Sequence, residues 1–264
     1  SPRIFGASVF FAQTDEERFR QLKNALYAKD SDAIWCMRGG YGSLRLLPRL
    51  ARLNKPRRSK LFLGYSDITS LHTFLNCEWR WPTIHSPMVG RFGRGDAKPT
   101  ELKEVTSILF GSSAVFQHNL IPLNKAARAR KTLRASVVGG NMATVQSSLG
   151  TPWSLDPRGK IIFFEDLDER PHRIDRMLAQ MSQAGMFRDA RAVVFGDLLI
   201  DSTKHRRLIW NDVIPRFARE QKIPVMKGMN AGHGDLQRPI PFLTHSELKL
   251  GPSPQLFLSV MRAK

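Results

Sequence analysis

Short apolar runs alternate with helical patterns along the N-terminal part of the chain, and this alternation constrains the fold more than any other feature. The apolar runs 32–37 and 61–63 are each followed by a segment that predicts a helix. Before the first run, Thr14 and Glu17 have the spacing of a capping box, which predicts a helix start. Pro48 predicts that the second helix is shortened or kinked. This β-α-β-α order predicts a parallel sheet covered by helices.

A second α/β unit is predicted in the C-terminal half. It begins at the glycine-containing run 137–141 and includes a buried strand at 160–164. An amphipathic helix follows at 174–181, and a further apolar run lies at 192–195. The pattern therefore predicts α/β structure in both halves of the chain.

Residues 111–134 separate the two patterns. This segment has no steady period and is rich in basic and small residues, which is typical of a linker. The length of 264 residues allows one large domain or two modest ones. We therefore expect an N-terminal parallel-sheet domain at 1–110, a linker at 111–134 and a C-terminal α/β domain at 135–264.

The composition excludes several classes of protein. A hydrophobic content of 42% is enough for a sizeable core, so the chain is not a disordered basic tail. Two cysteines, Cys36 and Cys77, exclude a disulfide scaffold and favour a reducing compartment. No run has the length and hydropathy of a membrane span, and the N-terminus does not have the pattern of a secretory signal. We expect no membrane association.

A formal net charge of +18 is the most unusual feature of the composition. It is compatible with nucleic acid, an anionic membrane surface or an acidic substrate as the partner, and charge alone does not choose among them. The basic runs are scattered, and none is interleaved with several aromatic residues. Two cysteines also exclude zinc-finger spacing. A solvated basic surface is the favoured interpretation, and nucleic-acid binding is not expected.

The segment Gly64-Tyr65-Ser66-Asp67 places a serine between an apolar strand and a helix start. On such a sharp turn the serine Oγ is exposed, and backbone N–H groups of the following helix point at the same space, as in a nucleophile elbow. Ile68 stands where the G-x-S-x-G motif has its second glycine. From these residues alone, a helix cap formed by Ser66 or Asp67 is the stronger interpretation.

A glycine-rich turn, Arg38-Gly39-Gly40-Tyr41-Gly42, follows the first strand. Glycines let the backbone approach a ligand closely and leave its N–H groups able to donate. The spacing matches neither a P-loop nor the dinucleotide-binding fingerprint. A tight turn and a site of backbone donors both remain open at this point.

His233 differs from the other histidines because glycines flank it in the sequence AGHGD at 231–235. These glycines indicate a loop that must fit against other residues. His85, at the end of a predicted strand, is a weaker candidate. The others are predicted on a helix (His72) or at the surface (His118, His172, His205 and His245). No pair has helical metal-ligand spacing, so no zinc site is expected.

Glu165 directly follows the apolar run 161–164. A carboxylate there could orient an imidazole through its Nδ1–H, as the acid of a Ser-His-acid triad does. Asp166, Asp168, Glu169 and Arg170 crowd the same loop, so a capping or ion-paired glutamate is the alternative. Spacing alone does not choose between these roles.

Five segments of the chain occur in an order that resembles the LD-carboxypeptidase family of serine peptidases, which also includes the microcin C immunity peptidases. The segments are RGGYGSLRLLPRL, GYSDITSLH, GGNMATVQSSLGTPW, FFEDLDERPHRIDRML and GHGDLQRPIP. They span nearly the whole chain, and their order is more specific than any one of them.

The resemblance implies a two-domain α/β enzyme with its active site at the domain interface. The N-terminal domain would hold a Rossmann-like parallel sheet. The resemblance implies Ser66 as the nucleophile, Glu165 as the triad carboxylate and His233 as the general base. The family's oxyanion donors are backbone amides, which here would be those of Gly40 and Asp67.

The activity implied by the resemblance is release of the terminal D-alanine from the murein tetrapeptide L-Ala-D-Glu-meso-diaminopimelate-D-Ala. This reaction belongs to cytoplasmic peptidoglycan recycling, and the family implies a homodimer without a metal or other cofactor. A carboxypeptidase binds a free carboxylate, for which Arg38 and Arg45 are candidates. Asn141 is a further candidate for substrate binding. The alternatives are a microcin-immunity-type peptidase that cleaves amides next to an aminoacyl-nucleotide, and an inactive or nucleic-acid-binding basic protein.

Three departures from the family pattern are expected to affect the structure. The family has a strand and a helix before the segment equivalent to 3–6, so we expect the first β-α unit to be missing and a sheet edge to be exposed or covered in another way. The usual His-Gly-Pro-Met reads His-Ser-Pro-Met at 85–88. Residues 239–242 lack the glycine of the family's leucine-proline-x-glycine pattern, which predicts a differently shaped His233 loop.

Overall fold

The computed structural model describes residues 10–111 and 113–261. Residues 3–6, before which the family has a further strand and helix, lie outside these residues. The strands, in chain order, are β1 (Ala33–Trp35), β2 (Leu61–Gly64), β3 (Thr83–His85), β4 (Ser113–Asn119), β5 (Ile121–Pro122), β6 (Thr132–Arg134), β7 (Val137–Asn141), β8 (Ile161–Leu167), β9 (Ala192–Leu199), β10 (Val225–Lys227), β11 (Ile240–Phe242), β12 (Ser246–Lys249) and β13 (Gln255–Met261). The helices are α1 (Asp15–Tyr27), α2 (Leu47–Leu50), α3 (Thr69–Cys77), α4 (Val89–Gly93), α5 (Pro99–Phe110), α6 (Met142–Ser147), α7 (Pro171–Gln183), α8 (Thr203–Leu208) and α9 (Ile214–Glu220).

The first sheet has the strand order β1-β2-β3-β11, and β1, β2 and β3 are parallel. This agrees with the β-α-β-α pattern predicted for the N-terminal part. Thr14 caps α1 as predicted, since its Oγ accepts from the Glu17 N–H at 3.2 Å. The pattern around Pro48 divides into a 3-10 turn (Ser43–Leu46) and the short helix α2, because a proline cannot lie in the interior of a longer helix.

The second sheet has the order β5-β10-β9-β8-β7, with β7 to β10 parallel and β5 antiparallel. Strand β8 is buried from Ile161 through Asp166, as expected for a central parallel strand covered on both faces. Helix α3 contacts both β3 and β7, so it lies between the two parallel sheets. The α/β architecture predicted for both halves is confirmed.

A third, antiparallel sheet has the order β4-β13-β12-β6, and sequence analysis did not predict it. Two of its strands and β5 lie within 111–134, so the segment predicted as a linker contains regular structure that its sequence pattern did not indicate. Its alternation is visible once burial is known: Ala114, Phe116 and His118 are buried, whereas Val115 and Gln117 are exposed. The partner strand β13 lies at the far end of the chain. The domain bounds themselves stay a prediction.

Strand β11 joins the two halves of the molecule. It belongs to the C-terminal segment but pairs antiparallel with β3, with Ile240 opposite His85. Residues 240–242 of the segment that departs from the family's leucine-proline-x-glycine pattern therefore form this strand. Among the described residues β1 is the outer strand of the first sheet. None of the helices within 10–111 and 113–261 combines the length and the hydropathy that a membrane span requires.

Candidate active site

Ser66 lies on a strained turn directly after β2. It opens a 3-10 turn (Ser66–Ile68) that leads into α3, and its φ is +63°, in the left-handed region that residues other than glycine rarely adopt. Strain of this kind persists where the surrounding structure enforces it, and nucleophile elbows are built in this way. Ser66 lines a cleft of about 620 Å³. The geometry therefore has the form of a nucleophile elbow.

The interpretation of Ser66 or Asp67 as a helix cap is wrong. Within the described residues, no side-chain hydrogen bond caps the 3-10 turn or α3. The Asp67 carboxylate instead accepts from the Ser43 N–H at 2.8 Å. This bond ties the turn that carries Ser66 to the end of the glycine-rich loop 38–42.

The glycine-rich loop runs directly beside Ser66. A Cβ on Gly39 would lie 3.0 Å from the Ser66 Cβ and 3.1 Å from its Oγ. Gly40 lines the cleft, has a φ of +120° and faces open space. The loop therefore brings backbone close to the Ser66 hydroxyl, which is what a backbone-donor site needs. The roles of the Gly40 and Asp67 amides as oxyanion donors stay a prediction.

Glu165 and His233 form a hydrogen-bonded pair behind the cleft. The His233 Nδ1 lies 2.7 Å from the Glu165 Oε2. Glu165 is fully buried at the end of β8, whereas the His233 side chain is 14% exposed and lines the same cleft as Ser66. The His233 ring also packs against Tyr65, with 4.8 Å between ring centroids. The three residues predicted as a triad are therefore gathered at one place.

Carboxylates around His233 control its protonation. Burial alone would lower the pKa of His233, but the hydrogen bond and charge of Glu165, with the charges of Asp166 and Asp197, outweigh burial and raise it. Burial and the charge of Glu165 raise the pKa of Asp166 to about 7, against the hydrogen bonds that its carboxylate accepts. This clustering of shifted pKa values is characteristic of catalytic sites.

Sequence comparison identifies the family. Residues 3–86 match the family model described as the LD-carboxypeptidase N-terminal domain, and residues 134–248 match the LD-carboxypeptidase C-terminal domain. This chain belongs to the LD-carboxypeptidase family. A Rickettsia conorii protein with a provisional carboxypeptidase name is 38% identical over 92% of this chain and 76% of its own length.

Two further relatives have more specific names. The murein tetrapeptide carboxypeptidase of Pseudomonas aeruginosa is 29% identical over 88% of this chain and 77% of its own length. The crystal structure of muramoyltetrapeptide carboxypeptidase from Oxalobacter formigenes superposes with a TM-score of 0.80 at 27% identity, covering 96% of this chain and 87% of that chain. Membership of this family supports the assignment of this chain as a peptidase.

The arginines predicted to bind a carboxylate differ in position within this LD-carboxypeptidase fold. Arg38 is exposed, lines the cleft and has no ion-pair or hydrogen-bond partner among the described residues. Arg45 is instead held by Asp15, with 2.7 Å between the charged groups, and lies over the Phe11 ring. Arg38 is therefore better placed to meet a substrate than Arg45.

Asn141 was predicted to bind substrate, but its side chain is engaged within the protein. Its Oδ1 accepts from the Thr144 N–H at 3.1 Å and caps α6, and its Nδ2 donates to the Asp166 carboxylate at 2.9 Å. Its backbone N–H donates to the Thr69 Oγ at 3.0 Å. These bonds hold the Asn141 side chain against Asp166, and its role in substrate binding stays a prediction.

Sequence reasoning missed an ion pair at the edge of the cleft. Arg91 lines the cleft and bonds the fully buried carboxylate of Glu101 through two nitrogens, at 2.9 and 3.0 Å. Arg91 also donates to the Asp235 backbone oxygen at 2.6 Å, and Glu101 accepts from the Gln237 N–H at 2.5 Å. The pair thus connects α5 to the segment that follows His233. The contacts join residues far apart in sequence, and no local pattern indicates them.

Two other histidines, His85 and His118, are buried in the structure. His85 is buried beneath the cleft, 5.8 Å from the Tyr65 ring, and burial lowers its pKa well below the usual value. It is therefore held neutral. His118 is also buried, on β4, so its prediction as a surface residue is wrong. Within 10–111 and 113–261, no group of three or more His, Cys, Asp or Glu side chains is placed to hold a metal ion.

Proposed function

We propose that this protein is a serine LD-carboxypeptidase that releases the terminal D-alanine from the murein tetrapeptide L-Ala-D-Glu-meso-diaminopimelate-D-Ala. The observation that carries the proposal is a single cleft lined by both Ser66 and His233, with Glu165 bonded to the far side of the His233 ring. Ser66, His233 and Glu165 act as nucleophile, general base and orienting carboxylate.

The hydrogen bond to Glu165 determines which ring nitrogen of His233 acts. Nδ1–H donates to the Glu165 carboxylate, so the neutral ring carries no proton on Nε2. Nε2 accepts the proton of the Ser66 hydroxyl as Oγ bonds to the carbonyl carbon on the L-centre of diaminopimelate. The same proton then passes to the nitrogen of D-alanine as the C–N bond breaks. His233 then takes a proton from water as the water oxygen bonds to the acyl carbon, and it passes that proton to the Ser66 Oγ as the ester C–O bond breaks.

The negative charge that develops on the carbonyl oxygen needs donors that are already in position. The N–H groups of Gly40 and Asp67 would supply them. Support comes from the contact of the glycine-rich loop with Ser66 and from the bond between Asp67 and Ser43, which holds the loop and the turn together.

The substrate carries several free carboxylates, and its terminal carboxylate would bind an arginine that lines the cleft. Arg38 is the candidate because it lines the cleft and is free of partners among the described residues. The net charge of +18 would also draw an anionic peptide towards the protein at low salt.

We further propose that the enzyme works in the cytoplasm as a homodimer without a metal or other cofactor, in the recycling of peptidoglycan. Sedimentation of the purified protein tests the assembly state: a mass near twice 30.0 kDa is expected, and a concentration-independent monomer contradicts it. Full activity after dialysis against a chelator is also expected, and loss of activity that zinc restores contradicts it.

The substrate is tested by incubating the full chain with murein tetrapeptide and following D-alanine by mass spectrometry. Release of D-alanine that is lost in Ser66→Ala is expected. No release by a correctly folded protein overturns the proposal. Cleavage of a peptidyl-adenylate analogue in place of the tetrapeptide would favour the microcin-immunity-type activity. Binding of DNA or RNA that weakens steeply with salt, without peptidase activity, would favour a nucleic-acid-binding protein.

A further inference from the structure

The geometry points to Asp197, on β9, as a positioning residue for His233. Its backbone N–H and its carboxylate hold the loop 231–234 against β8 and β9, which keeps the His233 ring at Glu165. The activity measurements below rest on the proposed peptidase function, whereas the structural measurements do not depend on it.

Two hydrogen bonds attach the loop to Asp197, one on each side of His233. The Asp197 N–H donates to the Ala231 backbone oxygen at 3.1 Å. The Gly234 N–H donates to the Asp197 Oδ2, also at 3.1 Å. The residue two positions before His233 and the residue directly after it are therefore both bound to one strand residue. This leaves the His233 backbone little freedom to move along the strand.

The glycines around His233 have a steric explanation in the same contacts. A Cβ on Gly234 would lie 2.5 Å from the Asp197 Oδ2, closer than real Cβ atoms approach. A Cβ on Gly232 would lie 2.9 Å from the Glu165 Cβ and 3.2 Å from the Asp197 Cβ. The loop therefore rests directly on both carboxylate side chains, and glycine on each side of His233 is what permits this approach.

Asp197 also contributes charge. The ionisable groups that act on it are Glu165 on β8, His233 on the loop and Asp235 directly after the loop. Burial raises the pKa of Asp197 to about 6, with help from the Glu165 and Asp235 charges and against the Gly234 hydrogen bond and His233. The ionised Asp197 in turn helps to raise the pKa of His233. Removing its charge should therefore lower the His233 pKa.

Two substitutions separate the hydrogen bond from the charge. Asp197→Asn keeps an oxygen that can accept from Gly234 and removes the charge, whereas Asp197→Ala removes both. Asp201→Asn is the matched control, because it makes the same change of charge at an exposed position beyond the end of β9. The measurements are amide hydrogen exchange at Gly234, titration of the His233 ring by NMR, and kcat and KM against pH.

For Asp197→Ala we expect Gly234 exchange to be faster and kcat to be lower, each by about tenfold, as for the loss of one hydrogen bond. KM should change little. For Asp197→Asn we expect Gly234 exchange near the wild-type rate and kcat within a few-fold of the wild type. The acid limb of the plot of kcat against pH should move to lower pH, because the His233 pKa is lowered. Asp201→Asn should match the wild type throughout.

Wild-type Gly234 exchange in Asp197→Ala, or an unchanged His233 pKa in Asp197→Asn, overturns the inference. If Asp197→Ala does not fold, Asp197→Ser, whose side chain is one atom shorter and does not reach the Gly234 N–H, is measured in its place, and wild-type Gly234 exchange in that variant overturns the inference. The expected changes in exchange and pKa, together with a wild-type protein that releases no D-alanine, would support the role of Asp197 and reject the proposed substrate.

Discussion

The two sides of the cleft are built in different ways. Ser66 lies on a turn directly after a strand, within one short stretch of sequence, and the backbone of neighbouring glycines packs against it. His233 and Glu165 come from separate segments and meet through tertiary contacts that involve Asp166, Asp197 and the Arg91–Glu101 pair. The nucleophile side thus depends on backbone conformation, whereas the imidazole side depends on buried charge and long-range packing.

This difference indicates where each side is vulnerable. A change at Ser66 should remove chemistry without disturbing the fold, because the half-buried Ser66 side chain lines the cleft and is not part of the core. A change in the carboxylates behind His233 should alter both the orientation of the ring and its pKa, because those groups supply its partner and its electrostatic environment.

Ser66→Ala should give the largest effect on catalysis. We expect kcat to fall by roughly 10⁴–10⁶-fold, because the residues of a triad act as a unit and no other hydroxyl takes the place of Oγ. Ser59→Ala, at an exposed position, is the control and should keep wild-type kinetics. Substantial turnover by Ser66→Ala would mean that the nucleophile is elsewhere.

Glu165→Gln should have the second-largest effect on catalysis. It should act through His233 and leave Ser66 in place. We expect kcat to fall by about 10³–10⁴-fold, because the amide can donate to Nδ1 and favour the wrong tautomer. Kinetics and NMR titration of His233 measure the effect. Because Glu165 raises the His233 pKa, the NMR titration of His233 should move to lower pH in the variant.

The same pair gives a pH dependence of stability. The folded pKa of His233 is raised above its ordinary value of about 6.5, so protonated His233 stabilises the fold. This contribution is fully present below the unfolded pKa and is lost as the pH rises through the folded pKa. Urea unfolding from pH 5 to 9 should show it in the wild type and a smaller dependence in Glu165→Gln. If the free energy of unfolding depends on pH equally in the two proteins, the pair contributes nothing to stability.

Gly140→Ala tests the contact between the two halves. A Cβ there would lie 2.5 Å from the Thr69 Oγ, and the φ of +129° is unfavourable for alanine. We expect a loss of about 3 kcal/mol in the free energy of unfolding, from backbone strain plus overpacking. Gly159→Ala is the control: its φ is also positive but no atom lies within 4 Å, so about 1 kcal/mol is expected. Equal losses would show that the Thr69 contact is unimportant.

Arg38→Gln should have the smallest effect. We expect KM for the tetrapeptide to rise by about tenfold with little change in kcat, because a hydrogen bond between charged groups is lost in substrate binding while the reacting atoms keep their partners. Arg45→Gln, whose parent residue pairs with Asp15, is the matched control and should leave KM unchanged. An unchanged KM in Arg38→Gln would place the carboxylate site on another cation of the cleft.

Local sequence patterns predicted the parts of the fold that are stabilised by local interactions. The β-α-β-α order, the Thr14 cap and the break at Pro48 follow from periodicity, capping and backbone chemistry within a few residues. The antiparallel sheet was missed because β4 pairs with β13 and β6 with β12, which are distant in sequence. The alternation in β4 was present, but its basic and small neighbours obscured it.

The candidate site also has features that the sequence predicted and features that depend on tertiary contacts. The resemblance of ordered motifs was enough to choose Ser66, Glu165 and His233, and the glycines around His233 already indicated a closely packed loop. Tertiary structure decided what that loop packs against, which is Asp197 and Glu165, and it turned Asn141 inward to Asp166. The physical reason is that a motif specifies backbone conformation locally, whereas burial, charge clustering and a pKa depend on residues that only the fold brings together.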